Sequence, residues 1–238
     1  NLEKNAAGPT EASIYLRNNG QLIQGDDAAQ NKGDGMLSVY QKIDSTSAFH
    51  YNYSSLPVGI TTGSGNSNGG VFRIYDCDGC TPTTTAAQQI QTTPGRNGDI
   101  DTNPMTISTR WAYKLLPSPD RDDEGVWVRI NGSNGVNPGL GYIAKGVSPS
   151  PGTGNTGDIG DLVEDLSYDL RGRPLNGEIS ITMEENDFIV LSGNPYPSVL
   201  DLHRLASDNQ AGGANIASFR FWDEPKKSEF SHFYSDKS

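Results

Sequence analysis

One stretch of this chain stands out by having the spacing of a helix. From Ser198 towards Gly212 the apolar residues Val199, Leu202, Leu205 and Ala206 recur on one face of a 3.6-residue period. The Ser198 hydroxyl can accept from a first-turn N–H, and Gly212 and Gly213 can end the helix. The approach is extended. Phe188-Ile189-Val190-Leu191 reads as a strand, and two prolines in Gly193-Asn194-Pro195-Tyr196-Pro197-Ser198 then stop the ladder, because neither has an N–H to donate. The rest is short extended runs punctuated by Gly, Pro and Asn. A chain with a single helix at about 198–210 has no βαβ rhythm, so its strands must pair with one another. The expected fold class is all-β, a β-sandwich or jelly-roll-like body with one short α-helix.

The strands can be followed in order. Ala12 to Leu16 and Gln21 to Gln24 flank Asn18-Asn19-Gly20, a hairpin signal, since a type I′ turn needs positive φ at both central residues. The same pattern suits a solenoid rung, so residues 1–35 are open to a separate reading as a solenoid-like lead-in, with 36–238 as the β-sandwich-like module. Met36 to Ile43 is rich in β formers. Phe49-His50-Tyr51-Asn52-Tyr53 alternates aromatic and polar residues and predicts a strand with its aromatic face buried, ending near Pro57. Val126, Val128 and Ile130 share one face, which sends Trp127 to the other. Leu166 to Leu170, Glu178 to Met183 and Ser218 to Trp222 continue the series.

Charge narrows the partners. Against 29 Asp+Glu stand 18 Lys+Arg, a net charge of −11. Nucleic acid phosphates and an anionic membrane surface would both be repelled. No apolar run is long enough to span a bilayer, so membrane insertion is not expected. No export signal stands at Asn1, so any leader is expected to be removed or to lie outside the sequence. A body of 238 residues buries enough surface to need no disulfide framework.

Few residues point to chemistry. Cys77 and Cys80 form a CxxC without a following helix to lower a thiol pKa and without further zinc ligands, and a local loop disulfide is the expected state. His50, His203 and His232 accompany no nucleophile motif, so no catalytic residue is assigned. The carboxylates Asp158, Asp161 and Asp165 lie in a glycine-containing loop that could wrap a calcium ion as cofactor; a solvated turn is the other reading. Trp111, Trp127, Tyr142 and Trp222 are candidates to stack on sugar rings. Core packing is the expectation for Trp111 and Trp222, which leaves Trp127 and Tyr142 as possible ligand contacts. Gly193 to Ser198 reads as a structural turn, with Asn194 satisfying turn backbone, Tyr196 plugging the core and a cis Tyr196-Pro197 bond, holding the helix against the sheet.

Several of these segments, in this order, resemble a module of large secreted surface proteins of Bacteroidota, of the flavobacterial gliding and adhesin type. Ser13 to Gln24 is similar to that family's lead-in, and Tyr51 to Gly59 to its "YNYWSSPVG" element without the tryptophan. Gly139-Leu140-Gly141-Tyr142-Ile143 is similar to its "GxGY/F" strand. Tyr168 to Gly177 is similar to its "F/YxGxPNNG" turn, Gly193 to Ser198 to "GNPYPS", and Phe221-Trp222 to the "YFW" strand. The resemblance implies an extracellular, cell-surface location and export through the type IX secretion system. It also implies membership of a longer polypeptide whose C-terminal sorting domain lies beyond this sequence. The expected function is a non-enzymatic structural or adhesion module, used in gliding, surface-layer or filament assembly. Its partners would be other modules, copies of the same protein or surface polysaccharide. The alternative is a carbohydrate-binding or glycan-degradation accessory domain.

Overall fold

The computed structural model describes residues 2–8, 10–25, 30–62, 65–67, 73–77, 79–116, 126–131, 135–149, 163–181, 190–210, 219–223 and 233–237. The chain divides into two units, Asn1–Ser198 and Val199–Ser238. In the first unit the strands run β1 (Ile14–Leu16), β2 (Leu37–Thr46), β3 (Tyr51–Ser55), β4 (Val58–Gly59), β5 (Ile74–Asp76), β6 (Gln88–Gln89) and β7 (Gln91–Thr93). They continue as β8 (Gly98–Asp99), β9 (Thr106–Ser108), β10 (Tyr113–Leu116), β11 (Val126–Arg129), β12 (Gly141–Lys145), β13 (Val147–Ser148) and β14 (Val163–Pro174). The second unit has α1 (Leu202–Gln210) and the antiparallel pair β15 (Phe219–Asp223) and β16 (Phe233–Lys237). The fold is all-β with one short helix, and that helix is too short to cross a membrane.

The largest sheet has the order β1-β2-β14-β5-β6, with β4 joined to β14. A second is β11-β10-β12-β3, and a third β13-β8-β9-β7. The long pair β2/β14 is antiparallel, with Val39 opposite Leu170 and Ile43 opposite Leu166. These residues, with Leu37 and Tyr168, face a core shared with Ile107, Ile130 and Tyr142. The strand expected at Leu166 to Leu170 is therefore present, and it continues: residues 168–174 are strand, where the resemblance implied a turn. The turn comes later, after Leu175, whose N–H bonds to the Pro57 carbonyl at 3.0 Å.

The opposite face of β14 carries Asp169, Arg171 and Arg173, all buried. Arg171 donates to Asp169 Oδ2 through Nε (3.0 Å) and Nη2 (2.8 Å), and to the carbonyls of Thr10 and Thr85. Ser38 Oγ donates to the other carboxylate oxygen at 2.5 Å. Arg173 donates to the carbonyls of Gly33, Thr61 and Thr62. Arginine suits this task because its planar fork carries five donors on one side chain. The polar face of this sheet is thus roofed by loops, each fastened through its carbonyls.

Several expectations need correction here. The lead-in is no separate body: β1 pairs in parallel with β2, Ile14 opposite Leu37, at the edge of the main sheet. The boundary falls at Ser198/Val199 and not at residue 35. Asn18 (φ 51°) and Asn19 (φ 61°) do form a tight turn, closed by Gly20 N–H to Arg17 O at 2.8 Å. The hairpin does not follow, because Leu22 N–H bonds to the Pro197 carbonyl and the Gln24 amide to Leu175 O instead. The helix begins at Leu202 and is capped by Asp201, whose Oδ1 accepts from Arg204 N at 3.0 Å. Asp is as good a cap as Ser and stands next to the helix. The cis bond lies at Asn103–Pro104 and not at Tyr196–Pro197.

Two buried phenols give the core a pH limit. Burial pushes Tyr142 up to about 12, with a bond to Ser54 acting the other way. Burial pushes Tyr168 up too. In the unfolded chain both titrate near pH 10. Between that value and the folded pKa the unfolded chain binds fewer protons, so stability is full below about pH 10 and falls as pH rises towards 12. The expected loss is about 1.4 kcal/mol per pH unit for each phenol. Urea titrations at stepped alkaline pH check this: the fall should be shallower in Tyr142→Phe, and an unchanged slope would contradict it.

Candidate functional site

The sheet β11-β10-β12-β3 has two faces, and its register says which residues share each. Tyr113 lies opposite Arg129 on one side and Ile143 on the other, and Ile143 lies opposite Tyr53. This makes one row across four strands, Arg129–Tyr113–Ile143–Tyr53. Side chains alternate along a strand, so the next row on the same face holds Lys145 and Tyr51, and the Trp111 ring stands beside Lys145. Trp111 ends a 3-10 turn, Thr109–Trp111, just ahead of β10. At about 4.8 Å per strand step the four-residue row is about 14 Å wide. A third row, Trp127–Leu115–Gly141–Ser55, is covered at its Gly141/Ser55 end. There a Cβ on Gly141 would meet Leu191 Cγ at 2.8 Å, and Gly193 sits against Ser55.

The first two rows present rings to solvent. Tyr53 is 39% exposed, and in the third row Trp127, at the sheet's edge, is 41% exposed. Tyr51, Tyr113 and Trp111 are half-buried, and Arg129 is exposed. Trp111 is tied down by its indole N–H, which donates to the Arg96 carbonyl at 2.7 Å. Lys145 Nζ lies 4.2 Å from the Trp111 ring centroid and 5.2 Å from that of Tyr51, so the ammonium sits between two rings. Arg110 adds a second cation, 5.5 Å from the Trp111 ring. Burial pushes the Tyr51 phenol up, and the neighbouring Tyr113 adds to it. Such a face offers apolar platforms, hydroxyls and fixed positive charge.

The expected burial of β3 is reversed. Asn52 and Ser54, not Tyr51 and Tyr53, line the interior gap beside Ile107, Tyr142 and Tyr168. Both inward side chains find partners: Asn52 Nδ2 donates to Thr46 Oγ1 at 2.8 Å, and Gln41 Nε2 donates to Ser54 Oγ at 3.3 Å. Satisfied polar groups can be buried, and this leaves the tyrosines outside. Tyr142 is 3% exposed and belongs to the core, so it cannot serve as a surface contact. Trp127 does face away from its valine neighbours, although Val126 is exposed as well, at 49%. Trp111 is half-buried on the open face and not packed in the core. The side chain of Trp222 lies outside the described residues.

The other predicted residues lie elsewhere. Cys77 and Cys80 are paired, with Cα atoms 5.1 Å apart. Cys80 lines a groove of about 610 Å³ with Asp76, Asp101 and Asp165. Asp165 has φ 57° and pairs with Lys42 Nζ at 2.8 Å. Asp158 and Asp161 lie outside the described residues. Among the described residues no group of three or more acidic, His or Cys side chains is arranged to hold a metal.

The Gly193–Ser198 turn spends its bonds on structure. Asn194 Oδ1 accepts from Tyr196 N at 3.0 Å and its amide donates to Ser198 O. Tyr196 is half-buried, not a core plug, and its hydroxyl donates to Gly177 O at 2.7 Å. Gly193 N–H bonds to Gly139 O, and Ser55 Oγ to Asn194 O. All of these partners lie in the first unit, so the turn closes that unit's sheets.

Sequence reasoning missed Tyr51, Tyr53, Tyr113 and Lys145 as surface residues. The signal was present as three doublets at a spacing of two, Tyr51/Tyr53, Trp111/Tyr113 and Ile143/Lys145. Only the strand register aligns them. No protein-family model, curated protein or solved structure matches the chain.

Proposed function

We propose that this chain is a non-enzymatic extracellular adhesion module of a bacterial surface protein, and that it adheres to polysaccharide through the outer face of β11-β10-β12-β3. The observation that carries the reading is the row Arg129–Tyr113–Ile143–Tyr53 with Trp111, Lys145 and Tyr51 beside it. Aromatic faces exposed on a flat sheet stack on the apolar faces of sugar rings. The platform is a sheet face and not an edge, which favours adhesion over strand-to-strand filament building. The resemblance to secreted modules of Bacteroidota supports the extracellular placing. The Cys77–Cys80 pair agrees with an oxidising exterior.

Affinity electrophoresis through gels containing polysaccharide tests this. Wild-type protein is expected to be retarded. Tyr53→Ala should weaken that retardation about tenfold, the upper end of what one aromatic contact supplies. Because Tyr53 is 39% exposed, its melting temperature should stay nearly unchanged. Equal migration of wild type and variant, with or without polysaccharide, would sink the reading.

A further inference from the structure

We infer that the polysaccharide bound on this face is acidic, and that Lys145 reads its carboxylate or sulfate groups. This rests on the adhesion reading above and names the ligand class. Lys145 stands on β12, an inner strand, with Tyr51 opposite it on β3 and the Trp111 ring on its other side. Its ammonium is held between Trp111 and Tyr51. Ring faces balance part of its charge but accept none of its three N–H groups in the manner of an oxygen. Among the described residues it has no hydrogen-bond or ion-pair partner. Partial burial lowers its pKa, because the charged form loses some of its water.

The surroundings match an anion. Arg110 lies against the same indole, and Arg129 stands exposed in the adjacent row. Neither row contains a carboxylate. The chain as a whole carries −11, whereas the charged residues of these two rows, Arg129 and Lys145, are both cations. Tyr53 and Tyr113 share the adjacent row of the same face and supply aromatic surface for sugar rings. A neutral glycan would use the platforms and leave the ammonium unpaired. An acidic one uses both.

Isothermal titration calorimetry on the whole chain separates the possibilities. The probes are polygalacturonate, the same polymer after carboxyl reduction, and polyglutamate, which has the charge without the sugar. Wild type is expected to bind polygalacturonate at least tenfold more tightly than its reduced form at low salt. That advantage should shrink at about 1 M salt, where screening reaches about 3 Å. Lys145→Gln should lose about tenfold for polygalacturonate and nothing for the reduced polymer, and Lys145→Arg should recover most of the loss. Polyglutamate should bind no better than the reduced polymer. Equal affinity for the two sugars, or an unaffected Lys145→Gln, overturns the acidic-ligand inference and leaves adhesion standing. Polyglutamate binding as well as polygalacturonate overturns the sugar in it. No binding to either sugar polymer overturns the inference together with the adhesion reading.

Discussion

Asp169→Ala is expected to cost about 3–5 kcal/mol of stability, a large part of what a domain of this size has. Asp169 and Arg171 are both fully buried and joined by two charge-assisted bonds. Arg17 approaches the same carboxylate at 3.7 Å, with its guanidinium 3.6 Å from the Tyr40 ring centroid. Removing the carboxylate leaves Arg171 charged in a place water cannot reach, and Ser38 Oγ without its acceptor. The loops bearing Thr10, Thr84 and Thr85 are fastened through the same two arginines, so they lose their anchorage together. Urea unfolding monitored by tryptophan fluorescence measures the loss. The exposed pair Lys42–Asp165 is the internal control: its atoms meet at 2.8 Å, but both side chains are more than half exposed. Lys42→Ala should therefore cost under about 1 kcal/mol. Similar losses in the two variants would mean that the buried lattice does not carry the stability assigned to it.

Gly172→Ala is expected to cost about 3 kcal/mol, lowering the melting temperature by on the order of 10 °C. Gly172 sits where β14 meets β4, with Arg173 opposite Gly59. Its missing side chain would point at the Gly59 carbonyl oxygen, and Val58 Cβ would be 3.2 Å away. The obstacle is backbone, which cannot swing aside as a long side chain can. Two strands must separate to admit one methyl group, and the ladder beside Arg173 goes with them. Differential scanning calorimetry decides it, and a melting temperature within about 2 °C of wild type would show that the strands part more easily than packed sheets do.

These positions show what was legible beforehand. The β class followed from alternation and turn residues, because both are local properties of the backbone. Asn18 and Asn19 announced their positive φ for the same reason. The partner of a strand is not local. Nothing in Ile14–Leu16 shows that it will lie parallel to Leu37–Val39, across a loop, and not fold back on Gln21–Gln24. Which face of β3 turns inward also depended on a distant residue: Gln41, across the sandwich, satisfies Ser54 and lets the polar row in. The candidate site suffered most, since its rows are assembled from four strands and exist only once the register is set. The buried arginines of β14 were hidden too. Asp169, Arg171 and Arg173 look like the solvent face of an edge strand until the loops that cover them are in place.

The most direct test is to titrate isotopically labelled protein with polygalacturonate and map the amide and aromatic shifts by nuclear magnetic resonance. Changes are expected to concentrate at Tyr51, Tyr53, Trp111, Tyr113, Ile143 and Lys145, on one face of one sheet. Changes centred instead on the groove beside Cys80, Asp101 and Asp165, or no changes under saturating polymer, would contradict it.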